Sequence, residues 1–149
     1  ALFWAGSPGS ASQMVNVVDY VTIASTGDAS DFGDCTKCTN KIGTASTVRS
    51  VHGGGNNYPA GNVNIIEYVT IASTGDTTDF GDLTAARTDH DACSNAVRAV
   101  WVMGNGNVAT MDYVTMASTG NAADFGDVQR ARRNASATSN SHAGLRSSS

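Results

Sequence analysis

Residues 20–34 read YVTIASTGDASDFGD, and the same phrase returns twice, as YVTIASTGDTTDFGD over 68–82 and as YVTMASTGNAADFGD over 113–127. The anchoring tyrosines Tyr20, Tyr68 and Tyr113 lie 48 and 45 residues apart. A second marker, Arg49, Arg98 and Arg146, recurs at 49 and 48 residues. Two independent markers with nearly one period identify tandem structural repeats, each too small to bury its own apolar surface and obliged to stack on its neighbours. The expected repeats run over 1–47, 48–96 and 97–145 of a single repeat domain covering 1–149.

Within a repeat the pattern is β. The segment NIIEYVTIAST (64–74) is β-branched throughout and imperfectly alternating, as in a strand covered on both faces. Gly27, Gly75 and Gly120 then supply a tight turn. DFGDL (79–83) returns as a short strand carrying Phe80, DHDACSNA (89–96) is a polar strand, and VRAVWVMG (97–104) is the most apolar strand, matched by VRSVHGGG (48–55). Four short antiparallel strands in a period in the forties describe a propeller blade better than a leucine-rich, β-helical or helical repeat. Tyr20 and Phe32, with their counterparts, are expected to fill the space between blades.

A hydrophobic strand ending in glycines (Gly53–Gly55, Gly104, Gly6), a variable loop, a strand with an aromatic (Tyr20, Tyr68, Tyr113) and a last strand with another aromatic resembles the kelch repeat. The usual fourth-strand tryptophan is replaced here by Phe32, Phe80 and Phe125. More narrowly, the phrase YVTIASTG…DFGDL is similar to tandem repeats in large proteins of marine bacteriophages and environmental sequences. The resemblance implies an all-β fold of three permuted four-stranded kelch-like blades, part of a larger or oligomeric propeller, since three blades do not close a ring. Both termini, ALFWAGS and GLRSSS, read as cut within strands. The resemblance also implies a non-enzymatic structural or receptor-binding module of a virion, of the phage tail or fibre type, or of a surface appendage. The partners expected are further copies or other subunits and a host surface glycan or protein. The alternatives are a purely architectural assembly or decoration protein, or a secreted glycan-active enzyme or oxidase on a propeller scaffold.

Composition narrows the chemistry. A net charge of −4 gives no electrostatic reason to expect nucleic acid, and no apolar run reaches the ~20 residues of a membrane helix. Asp28, Asp31 and Asp34 recur as Asp76, Asp79 and Asp82. Oxygen ligands at this spacing make a calcium loop the alternative reading, but calcium loops place ligands at every second residue. Aspartates that bond their own backbone explain the spacing better, so no metal or cofactor is expected. The histidines His52, His90 and His142 fall at unlike repeat positions, and no GxSxG elbow accompanies the repeated Ser-Thr pairs. Cys35-Thr36-Lys37-Cys38 lacks the second ligand pair of a zinc site. What differs between repeats is the loop after the glycine strand, and such loops are the usual binding surface of a repeat scaffold. The candidate binding residues are Asn56, Asn57, Tyr58, Asn62, Asn105 and Asn107.

Overall fold

The structure, a computed structural model, describes residues 1–6, 14–36, 41–105, 108–134 and 136–139. It is all-β, and among the described residues there is no helix long and apolar enough to cross a membrane. Three antiparallel meanders follow one another along the chain. The first contains β1 (Leu2–Gly6), β2 (Val15–Tyr20) and β3 (Ser30–Asp34) in the order β1-β2-β3. The second opens with β4 (Ile42–Ala45) and β5 (Arg49–Gly53). A two-stranded hairpin of β6 (Asn56–Asn57) and β7 (Gly61–Asn62) then interrupts it, and it closes with β8 (Ile65–Thr70) and β9 (Thr78–Asp82), in the order β4-β5-β8-β9. The third contains β10 (Asp91–Ser94), β11 (Arg98–Val102), β12 (Thr110–Thr115) and β13 (Ala123–Asp127) in sequence order.

The three sheets share one register. Leu2, Val51 and Val100 lie opposite Tyr20, Tyr68 and Tyr113. In each last pairing a bulge inserts one extra residue, Phe32, Phe80 or Phe125, between an Asp and a Gly of the DFG triplet. The aspartate stabilises the bulge: Asp31, Asp79 and Asp124 accept from the backbone N–H of Gly33, Gly81 and Gly126, two residues on. The bulge turns the phenylalanine edge-on to the repeat's tyrosine, with ring centroids 5.7–5.9 Å apart in all three sheets.

The segment expected as one strand over 64–74 ends earlier. β8 stops at Thr70, the carbonyl of Thr70 accepts from Ser73, and seven residues (71–77) lead to β9. Gly27, Gly75 and Gly120 therefore do not make a two-residue hairpin. Small polar Ser and Thr residues carry the connection away from the sheet, and it reaches a neighbouring sheet instead. The both-faces-covered expectation for this strand holds, since successive residues Ile66 and Glu67 are both fully buried.

The core lies between sheets rather than within one. Val51, Ile66, Phe80 and Leu83 from the second repeat pack with Ala99, Trp101, Val114 and Met116 from the third. Val18, Phe32 and Cys35 pack with Val69 of the second sheet. This is the expected placement of the tyrosine–phenylalanine pairs for two of the three copies. The first strands of adjacent sheets, β4 and β10, also lie against each other, with Thr44 Oγ1 donating to Ser94 Oγ at 2.6 Å and Ser94 Oγ to the Ala45 carbonyl at 2.8 Å.

Candidate functional site

Two features could carry function: the joint between successive sheets and the loops that differ between repeats. The joint is built by the repeated phrase itself. The backbone N–H of Gly75 donates to the Phe32 carbonyl at 2.7 Å, and that of Thr77 to the Asp34 carbonyl at 2.8 Å. One repeat later, Gly120 and Ala122 donate to Phe80 and Asp82 at 2.6 and 2.7 Å. The STGD half of one phrase thus clasps the DFGD half of the phrase before it. The two backbones approach so closely that a Cβ on Gly33 would sit 2.3 Å from the Gly75 oxygen, and one on Gly81 2.4 Å from the Gly120 oxygen.

Asp76 and its counterpart Asn121 have their place in this clasp. Asp76 Oδ1 accepts from the backbone N–H of Asp34 at 3.0 Å, and Asn121 Oδ1 from that of Asp82 at 3.1 Å. These side chains therefore bond the preceding sheet, not their own turn as the sequence suggested. One acceptor oxygen suffices, and that is why the third copy can carry Asn in place of Asp. Of the calcium alternative, Asp28 and Asp76 lie in the connections, Asp31 and Asp34 on β3, and Asp79 and Asp82 on β9. Among the described residues no group of three or more His, Cys, Asp or Glu side chains comes together to hold a metal ion.

Each joint also buries an ion pair. Lys41, in the linker after the first sheet, pairs with Glu67 on β8, and both side chains are almost wholly buried. Thr36 donates to the same carboxylate through its backbone N–H, at 2.9 Å, and through its hydroxyl, and Thr77 donates to it as well, at 2.9 Å. Arg87, in the next linker, pairs with Asp112 on β12 at 2.9 Å, and Thr84 donates to Asp112 through its N–H and hydroxyl. Glu67 and Asp112 occupy one register position, opposite Asp79 and Asp124. Sequence reasoning missed these pairs. Their only signal was an acid one residue before each repeated tyrosine, at Asp19, Glu67 and Asp112.

A cavity of about 480 Å³ opens between the first and second sheets, lined by Leu2, Tyr20, Phe32, Thr44, Ser50 and His52 among others. His52 stacks on Trp4 with ring centroids 3.7 Å apart. Burial, reinforced by the charge of Lys41, pushes its pKa down to about 3, so the ring is neutral at ordinary pH. Ser50 Oγ lies 3.4 Å from His52 Nε2, the closest approach to a nucleophile–base pair. Nδ1 of that ring is buried with no hydrogen-bond partner, so no carboxylate orients it in the manner of a triad. His90 Nε2 donates to the Gly53 carbonyl at 3.0 Å, and burial, the dominant influence, lowers its pKa too.

The loop residues are placed as follows. Asn56 and Asn57 form β6, and Asn62 ends β7, with Asn56 Nδ2 donating to Asn62 Oδ1 at 3.0 Å across the hairpin. The loop expected after the glycine strand of the second repeat is therefore a hairpin, because its side chains and backbone bond each other. Tyr58 stands at its tip, 54% exposed, before a cis peptide to Pro59. The hairpin base is tied to the following linker, Gly55 donating to Arg87 and Arg87 to Val63. Asn105 is exposed beyond β11, its N–H donating to the Thr88 carbonyl at 2.7 Å. Asn107 lies outside the described residues, as do Cys38, His142 and Arg146.

Compared with known proteins, the chain matches no family model and no curated protein.

Proposed function

We propose that the chain is a kelch-like propeller segment with a structural or receptor-binding role, presenting its hairpin from a rigid stack of blades on a virion or another extracellular surface. The observation that carries this reading is the division of labour along the sequence. The repeated phrase builds the joints between successive sheets, whereas an inserted element, β6–β7, projects an exposed Tyr58 flanked by amide side chains. An aromatic face beside Asn donors and acceptors suits a sugar ring or a polar protein surface. Four-stranded meanders whose first strands, β4 and β10, lie together are consistent with blades arranged around an axis.

The test is a screen of the intact chain against surface polysaccharides, followed by Tyr58→Ala. The reading expects that variant to bind about tenfold more weakly, the loss of one aromatic anchor. Its unfolding midpoint should be unchanged, because the ring touches no core cluster. Undiminished binding after this change and after replacement of 56–62 would remove the hairpin from consideration. The purely architectural alternative has its own observation, the exposure of Ile23 on the first sheet's connection and Phe125 on the third sheet.

A further inference from the structure

Among the described residues, the third sheet carries half a joint that nothing covers, and the first sheet carries the other half. Phe32 and Phe80 are 5% and 2% exposed beneath the clasp of the next sheet, but Phe125, in the same bulge with the same tyrosine partner, is 48% exposed. A Cβ on Gly33 or Gly81 would strike the clasping backbone, whereas one on Gly126 would meet nothing. Arg132 corresponds to Arg87: its carbonyl accepts from Gly104 as that of Arg87 accepts from Gly55. Yet Arg87 is buried on Asp112 and Arg132 is exposed. The matching acid is in the first sheet. Asp19, opposite Phe3 and Asp31, holds the register position of Glu67 and Asp112.

The inner edge tells the same story. Residues 136–139 lie against β10 as β10 lies against β4: Ala137 N–H donates to Asp91, and Ser139 Oγ donates to the Ser94 carbonyl at 2.6 Å, repeating the Ser94–Ala45 bond. They hold the place of a first strand, and among the described residues no second strand pairs with them. The first sheet has the converse arrangement. Among the described residues β1 pairs only with β2, and the cavity of about 480 Å³ lies between β1 and β4, where a first strand would run.

We propose that a second copy of this chain docks head to tail on the first, its first sheet seated on the third sheet of its neighbour. Gly27 N–H then donates to the Phe125 carbonyl, Asp28 accepts from Asp127 N–H, and Arg132 pairs with Asp19. Residues 136–139 add to the free edge of β1, with Thr138 opposite Leu2, and enter the cavity. Phe125 becomes covered, and Ile23, 82% exposed, meets Arg98 as Met116 meets Arg49 in the internal joint, where Arg49 donates to the Met116 carbonyl at 2.8 Å. The surfaces are heterologous, so repetition yields a closed ring or an open filament. The proposal rests on the internal joints and is independent of any ligand at the hairpin.

Charge-swap complementation tests it. Sedimentation of the 149-residue chain across a concentration series should show species above its 15.3 kDa mass. Arg132→Asp and Asp19→Arg should each fold, with unchanged near-ultraviolet circular dichroism. Each alone should associate at least about tenfold more weakly, the scale of a lost close charge pair. Mixing the two, or combining both in one chain, should restore association. A wild-type chain that stays at its monomer mass would mean that the half-joints serve only repeats within one polypeptide, and would overturn the proposal. Folded single variants that associate like wild type, or that mixing does not rescue, would overturn it too.

Discussion

Gly81 shows how one missing side chain sets the spacing of two sheets. Its φ of 140° and the 2.4 Å approach of the Gly120 oxygen both exclude a Cβ. Gly126 has nearly the same backbone, φ 123°, and open space around it. Comparing Gly81→Ala with Gly126→Ala therefore separates backbone strain from the clasp. Urea unfolding of dilute protein should show the first change costing about 1–3 kcal/mol more than the second, the usual penalty for forcing atoms into an occupied space. Asn121 makes the complementary point. Asn121→Asp preserves the acceptor oxygen and should change stability by less than about 0.5 kcal/mol. Asn121→Ala should cost about 1 kcal/mol by orphaning the Asp82 N–H, as read from the same unfolding curves.

At the scale of the element, β5 carries a titratable ring in the joint between the first and second sheets. His52 is neutral in the folded chain down to about pH 3, whereas its ordinary pKa is 6.5. Between those values the unfolded chain binds a proton that the folded chain refuses. The contribution is therefore whole above about pH 6.5 and is lost as pH falls toward 3, by at most about 1.4 kcal/mol per pH unit. His90 has the same sign. His52→Phe, which installs the residue found at the equivalent Phe3, should flatten the decline of urea midpoints between pH 6.5 and 4, leaving the share due to His90 and the carboxylates. The linkers carry the opposite kind of group, a charge that is stable only in company. Arg87→Met should cost about 3–5 kcal/mol because Asp112 stays buried without its cation, and adding Asp112→Leu should recover most of the loss. Thermal unfolding of the two variants decides this.

For the whole molecule, the sequence alone establishes the repetition, the β character, the four strands per repeat and the tyrosines and phenylalanines as filling between sheets. All of these follow from periodicity and side-chain shape, which act locally. It also marks the Tyr58 loop as the element that breaks the pattern. It does not reveal that STGD leaves its own sheet to clasp DFGD of the one before, because a Gly-Asp pair reads as a hairpin turn whenever only neighbours along the chain are considered. Nor does it reveal the pairing of Lys41 with Glu67 or of Arg87 with Asp112, since a base in a linker and an acid in a strand become partners only when sheets stack. The repeated phrase stays nearly unchanged because its two halves must fit each other across sheets, and the copy over 68–82 fits both the one before and the one after. That constraint is carried by backbone approach and by charge burial between sheets, which exist only once the chain is folded.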